Sequence, residues 1–249
     1  MPFQRDGFFN SVRAKPFGGK LSQEQVDGMG SLLDVWEEDY EADNNDLRWL
    51  AYALATAKHE TASTMMPIEE YGFGEGQPYG EVDPETNCAY YGRGYIQITW
   101  RENYAKLDKQ LGLSGEDSCE WNAENALDPE IAADALYEGL IEGWYRSSDG
   151  TPNNLAKYFN DTRDDPYGAR EAVNGDKHIV PSWSNGVSIG NLIKGYHNDF
   201  LAALHAAYVE VPIPAPIEPP LIQTATFRVV VTGPGPFTVT VEEDTGLPF

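Results

Sequence analysis

Apolar residues recur at helical spacing along much of the chain. Val26, Met29, Leu33 and Trp36 follow Ser22 and Gln25, a pair spaced as a capping box, so a helix is predicted from Ser22 onward. A second helix starts near Asp46, with Leu50, Ala53 and Ala57 on one stripe. Asp128-Pro129 supplies a cap and a first-turn proline for a third, whose stripe is Ile131, Leu136, Leu140 and Trp144. A fourth covers about 188–208, with Ile189, Leu192, Tyr196, Phe200 and Leu204.

Between these helices the pattern breaks. Residues 71–94 are rich in glycine, carry Pro78 and Pro84, and read as a long loop. A loop of that length inside a compact domain is often functional. Tyr95, Gln97 and Thr99 then alternate with Ile96, Ile98 and Trp100, which predicts a short strand with a polar and an apolar face. Further on, the proline-rich VPIPAPIEPP at 211–220 predicts an extended linker. Beyond it, Thr224–Thr232 and Phe237–Glu242 are β-prone and flank Gly233-Pro234-Gly235-Pro236, a hairpin pattern. A lone hairpin is marginal in water, so this one is expected to dock on the main domain, a partner or another copy. The predicted organisation is a helical domain over 1–208, a linker over 209–221 and a hairpin tail over 222–249.

Composition narrows the partners. The chain has 249 residues, enough to bury a core without disulfides or a structural metal. Lys and Arg total 17 against 40 Asp and Glu, a formal charge of -23. That balance argues against nucleic acid, anionic membrane surfaces and electrostatic capture of an anionic substrate. Recognition by hydrogen bonds and ring stacking is expected instead. The 6 Trp and 14 Tyr fit either sugar platforms or a core, and the core reading is preferred for most of them. Cys88 and Cys119 are read as reduced thiols; no ligand cluster surrounds them, so neither a metal nor any other cofactor is expected. The N-terminus MPFQRDGFFN lacks the pattern of a secretory signal, and no window is apolar for the ~18 residues of a membrane span. If the protein acts outside the cytoplasm, another factor is therefore expected to release it.

Chemistry concentrates in two places. In Lys58-His59-Glu60-Thr61, a zinc-protease reading fails because the second histidine position is Ser63. Glu60 falls seven residues after Ala53 and three after Ala57, on the apolar face of its helix. Desolvation there favours the protonated form, as a general acid requires. The alternative is a helix-end glutamate paired with Lys58 or an arginine. Pro67 should end that helix, leaving Glu69 on a loop that turns back across a cleft, with Glu70 its neighbour and rival. Two facing carboxylates suit glycoside hydrolysis. The second place is Tyr90-Tyr91-Gly92-Arg93-Gly94-Tyr95-Ile96-Gln97-Ile98-Thr99. Its glycines permit a tight turn or close approach. Arg93 can hold a carboxylate in a fork, for substrate or as a buried structural pair. Gln97 and Thr99 share one strand face and can bind sugar hydroxyls or a water.

Taken together, these elements resemble the family 19 glycoside hydrolases, the plant-type chitinases and related phage or prophage endolysins. FFNSVRAKPFGGKLSQEQVDGMGSLLDVW resembles the opening region of phage-type members, AKHET the family's His-Glu-Thr element, YYGRGYIQITWRENY its most diagnostic stretch, and REAVNGD its later Asn-Gly element. The resemblance spans most of residues 3–205. It implies a mainly α, lysozyme-like bilobal domain with a small β element in the cleft, besides the C-terminal β-hairpin. It implies Glu60 as proton donor, Thr99 as holder of the attacking water, and Glu69 as second carboxylate, with Glu75 and Glu81 also open. His59, Arg93, Tyr95, Gln97, Asn103 and Asn174 are the implied substrate binders. The family inverts configuration. Departures are Ala62-Ser63, where phage-type members usually have two glycines, and a shorter loop before Gly-Arg-Gly. The function expected is that of an endolysin cutting β-1,4 bonds of peptidoglycan. The phage-type resemblance implies a host cytoplasm until release to the periplasm or cell wall, or a virion. A chitinase, or a non-catalytic glycan-binding or virion protein, is the alternative.

Overall fold

A computed structural model describes residues 3–42, 46–148, 150–208, 227–229 and 241–243. The chain divides into two units, Met1–Val209 and Glu210–Phe249. The first is mainly helical. Its elements are α1 (Arg5–Ala14), α2 (Gln23–Val35), α3 (Leu47–Glu60), α4 (Arg101–Leu111), α5 (Pro129–Glu142) and α6 (Ile189–Ala207). Two-residue strands punctuate them: β1 (Ile68–Glu69) with β2 (Arg93–Gly94), β3 (Ser147–Ser148) with β4 (Thr151–Pro152), and β5 (Phe159–Asn160) with β6 (Arg163–Asp164), all antiparallel.

The caps read from the sequence form as expected. The Ser22 hydroxyl accepts from the Gln25 amide at 3.1 Å while the Gln25 side chain accepts from the Ser22 amide at 2.9 Å. Asp128 accepts from the Glu130 and Ile131 amides, and α5 closes at Gly143 with φ 74°. Met29, Leu33 and Trp36 are buried as their spacing demands, and a π-helical turn, Trp36–Tyr40, extends α2.

Helix α3 differs from its prediction. Every residue from Leu50 to Ala57 is buried, so the helix is enclosed on all sides. It packs along α6, and α1 packs on α6 in turn. Small residues make this enclosure possible, since Ala51, Ala53, Ala55 and Ala57 let neighbouring elements approach closely. In α6 the buried stripe runs through Ile189, Ile193, His197, Phe200 and Leu204, with Leu192 and Tyr196 only half-buried. Burial pushes the His197 imidazole down to about 4, so it is a neutral core residue stacked on Phe159.

A second, smaller core surrounds α4. It joins Tyr90, Tyr104, Leu107, Cys119, Ala123 and Ala126 to Ala135 of α5. Two cores sharing α5 make the bilobal arrangement. Cys88 and Cys119 are free thiols.

Helix α3 also ends earlier than the Pro67 rule predicts. It stops at Glu60, where the Thr61 hydroxyl donates to the Ala57 carbonyl and accepts from the Met65 amide. Ala62 and Ser63 then take left-handed φ values of 50° and 70°. This is a glycine conformation without glycine, and costs about 1–2 kcal/mol per residue. Ser63 has a compensating role: its hydroxyl accepts from Lys58 Nζ at 2.7 Å. That ammonium is buried between the Phe17 and Tyr196 rings and pushed down to about 8 by burial. Ala62→Gly should therefore raise stability by up to about 1 kcal/mol, after the entropy cost of glycine. Ser63→Gly should lower it, because Lys58 loses its acceptor. Thermal melts of the two variants check this, and a fall in melting temperature for Ala62→Gly would contradict it.

In the second unit, the described part is β7 (Phe227–Val229) paired antiparallel with β8 (Val241–Glu243), with Arg228 opposite Glu242. Both predicted runs of the tail thus contribute to one strand pair. The predicted linker and the Gly-Pro-Gly-Pro connection lie outside the described residues.

Candidate active site

The predicted strand over Tyr95–Trp100 does not form. Arg93 and Ile98 exchange backbone hydrogen bonds at 3.2 and 3.0 Å, so residues 94–97 are the turn of a tight hairpin. Gly94 enters it at φ 84° and Gln97 leaves it at φ 55°. A β-carbon on Gly94 would sit 2.9 Å from the Ala126 carbonyl, and one on Gly92 would sit 2.9 Å from the Gln97 side chain. Glycine is therefore required at Gly94 by positive φ and a backbone close approach, whereas at Gly92 a side chain would have to displace the Gln97 amide. The turn breaks the expected alternation. Tyr95 is fully buried, its hydroxyl 3.4 Å from the Gly28 carbonyl, which takes it out of direct substrate contact.

Arg93 is likewise structural. It is 3% exposed, and its guanidinium donates to the Ala89 carbonyl (2.8 Å), the Tyr104 hydroxyl (3.3 Å) and Glu124 (3.0 Å). Its Nε lies 3.5 Å from Glu69, and the group stacks on the Tyr91 ring. The fork expected for a substrate carboxylate is used inside the fold, tying β2 to the smaller core.

Residues of the hairpin, α3, α4 and the 168–176 segment meet around a cavity of about 270 Å³. Glu60, Gln97, Thr99, Asn103, Trp144 and Asn174 line it. The structure thus brings five of the sequence-predicted site residues together. Gln97 Nε2 donates to the Ile68 carbonyl at 3.0 Å, fastening the hairpin to β1. Asn103 Nδ2 donates to the Thr99 carbonyl at 2.7 Å, and Asn174 Oδ1 accepts from the Gly175 amide at 2.8 Å. The Gln97 and Asn103 carbonyl oxygens, the Asn174 amide nitrogen and the Thr99 hydroxyl have no partner among the described residues. Those groups match the hydroxyl and acetamido groups of an uncharged sugar. Among the described residues no group of His, Cys, Asp and Glu could hold a metal ion.

Glu60 closes α3 with its side chain 17% exposed. It is paired with an arginine, as one alternative had it, and not with Lys58. The partner is Arg170, whose guanidinium donates to Glu60 Oε1 through Nη1. On the other side Arg170 binds Asp176 in a two-pronged pair, Nε–Oδ1 2.7 Å and Nη2–Oδ2 2.8 Å. Burial alone raises the Asp176 carboxyl, but the Arg170 guanidinium outweighs it and holds the group below its ordinary range. Sequence reading missed Arg170, although it opens the REAVNGD element that supplied Asn174. The available signal was the Arg and Asp six residues apart, flanking the predicted sugar contact. His59 is half-buried beside the site, not in the cavity lining; burial holds its imidazole below the usual range, and its ring lies 6.4 Å from that of the exposed Trp183.

The candidate second carboxylates separate by their contacts. Glu69 pairs with Arg93 in the β1–β2 register, and its Oε1 accepts from the Tyr91 hydroxyl at 2.5 Å, leaving Oε2 without a partner among the described residues. Both oxygens of Glu70 are occupied, one by the Tyr79 hydroxyl at 3.1 Å and one by the Gly92 amide at 3.1 Å. Glu75 and Glu81 are exposed on the 71–94 loop. Glu69 is not in the lining of the cavity at Glu60; it sits next to Ile68, whose carbonyl holds Gln97.

No protein-family model and no curated protein matches the sequence. Among solved structures, chitinase C from Streptomyces griseus HUT6037 superposes with a TM-score of 0.51 at 18% identity, over 82% of this chain and 76% of that one. The chain has the chitinase C fold. A point variant of chitinase C is also similar, at a TM-score of 0.47 and 19% identity over 84% of this chain and 93% of that one. So is a bacterial family 19 chitinase, at 0.42 and 17% over 84% and 96%. Among the described residues no helix is long and apolar enough to cross a membrane.

Proposed function

We propose that the protein is an endo-acting glycoside hydrolase that cleaves β-1,4 bonds in an N-acetylhexosamine polymer. The observation that carries this is the position of Glu60. A half-shielded carboxyl, fixed by Arg170, faces a cavity where it is the one acidic lining residue, beside the uncharged polar side chains of Gln97, Thr99, Asn103 and Asn174, the rings of Trp144 and Tyr145, and Lys106. In this reading Glu60 protonates the departing glycosidic oxygen. Thr99 and Gln97 hold the attacking water, and Glu69 accepts its proton through Oε2. Asn103 and Asn174 orient the sugar. Water attacking from the opposite face inverts the anomeric carbon.

Peptidoglycan is the substrate favoured by the phage-type opening segment and by the nine-residue spacing of Glu60 and Glu69, which together support an endolysin role. Chitin is the second reading, supported by the likeness to chitinase C and by the -23 charge, which is no handicap toward a neutral polymer. Digestion of purified peptidoglycan and of soluble chitin, with mass spectrometry of the products, tests both. Cleavage of neither would refute the enzymatic reading.

The base assignment has its own test. Glu69→Gln should lower kcat by about two orders of magnitude or more on whichever polymer is cut. Glu75→Gln and Glu81→Gln should leave kcat within about twofold. A large loss in either of those, with Glu69→Gln near wild type, would move the base to the 71–94 loop.

A further inference from the structure

Cations gather at one place on an otherwise acidic chain. Arg146, Lys157, Arg163 and Lys177 line a second, open cavity of about 550 Å³, beside only two carboxylates, Asp165 and Glu171. Four of the 17 basic residues thus face one hollow that holds two of the 40 acidic ones. The internal pairs do not consume this surplus. Asp165 binds Arg163 at 2.5 Å and Glu171 binds Lys177 at 3.3 Å. Arg146 is left with Glu171 at 3.9 Å, and Lys157 has no ion-pair partner among the described residues. The floor is built and buried: Tyr158 donates its hydroxyl to Asn153 at 2.8 Å, and Asn153 donates to the Glu171 carbonyl at 2.6 Å. Arg163 lies over the Tyr158 ring, 5.0 Å from its centre.

This hollow adjoins the catalytic cavity along two segments. Trp144 and Tyr145 line the first cavity, and Arg146 and Ser147 the second. Val173 and Asn174 line the first, and Glu171 and Lys177 the second. A sugar seated against Asn174 would therefore carry its substituents toward the cations.

We propose that this basic hollow binds an anionic substituent, a carboxylate or phosphate group, on the glycan whose backbone occupies the catalytic cavity. The inference rests on the glycan-cleaving reading and names the polymer class within it: an acid-bearing polymer such as peptidoglycan rather than neutral chitin. It also resolves the apparent conflict with the net charge, because what a substituent meets is the local field, and at physiological salt that field extends only about 8 Å.

The test is a binding titration on the full-length Glu60→Gln protein, which separates capture from cleavage. The probes are a muramyl peptide with free carboxylates, the same peptide fully amidated, and glycerol phosphate. Saturable binding of the free-acid peptide, of glycerol phosphate or of both is expected, weakening at high salt, and which probe binds identifies the source of the anion. Lys157→Gln and Arg163→Gln should each weaken it at least fivefold, and Lys157→Arg should restore most of the loss. Amidated peptide binding as tightly as a free-acid peptide that does bind, absence of saturable binding to both the free-acid peptide and glycerol phosphate, or insensitivity to both glutamine variants would overturn the proposal. Because no turnover is read, failure of this titration alongside active hydrolysis rejects only the hollow. Binding without hydrolysis of any polymer by the wild-type protein rejects only the enzymatic reading.

Discussion

Replacing Glu60 by glutamine is expected to remove hydrolysis almost completely while leaving the fold in place. Glutamine has the same shape, and its carbonyl oxygen can still accept from Arg170, so the network around α3 loses charge but not geometry. Arg170 keeps its two-pronged pair with Asp176, and the stability change should stay within about 1–2 kcal/mol. The chemistry is another matter. A sugar alkoxide is a poor leaving group, and a positioned acid contributes about 10²–10⁴ in rate. Reducing-end release by Glu60→Gln should accordingly fall at least about a thousandfold on the polymer the wild type cleaves. Its circular dichroism spectrum and glycan affinity should be preserved. Undiminished release would remove Glu60 from the mechanism; loss together with unfolding would show instead that the ion pair is structural.

That experiment also weighs what the sequence could disclose. The helices were legible because their apolar stripes and caps are local features: Ser22 with Gln25 and Asp128 with Pro129 act over three or four residues. Helix α3 was legible as a helix but not as the enclosed one, since burial on every side depends on what distant elements such as α5 and α6 place around it. The Tyr95–Trp100 segment misled for the opposite reason. Its alternation is real, yet Gly94 and Gln97 at positive φ fold it into a hairpin turn, and a period of two carries no record of that. Tyr95, expected on the polar face, instead supports the cleft from inside, and of the two readings open for Arg93 the structure bears out the buried structural pair.

Among acids the limits are sharper. Glu60 was legible because an ionisable residue on an apolar face stands out, and because four motifs occur in order around it. Glu69 was not separable from Glu70 by sequence, because both follow Pro67 in a chain with 40 acids. The structure separates them through contacts made across β1 and β2: Glu70 is held at both oxygens, and Glu69 at one. Arg170 escaped notice because its partners are 110 residues upstream and six downstream, and an isolated arginine in a sequence resembles any surface cation.

Arg170 should carry the largest stability effect of any polar residue near the site. It is about 1% exposed, and it joins two carboxylates drawn from different segments, Glu60 and Asp176. Taking two charges out of water is costly, and the pairing makes it tolerable; removing one partner of such a buried set typically costs about 3–5 kcal/mol. Arg170→Met keeps much of the volume but leaves Glu60 and Asp176 without a counter-charge. For a domain of this size that corresponds to a fall in melting temperature of about 6–20 °C. Arg170→Lys should recover only part of it, because an ammonium cannot hold Asp176 in a two-pronged pair and still reach Glu60. The pH dependence gives the sign independently. Asp176, held below its ordinary range, contributes stability that is present above its unfolded value and is lost as pH falls through the folded one. Arg170→Met should therefore lose the share of the stability difference between neutral and acidic pH that Asp176 contributes, and Asp176→Asn should flatten the same limb to a similar extent. Activity offers the second readout. If Arg170 positions the acid, Arg170→Lys lowers kcat and shifts the pH–rate profile at temperatures where it is fully folded. An unchanged profile in the folded lysine variant would confine Arg170 to holding the lobe together.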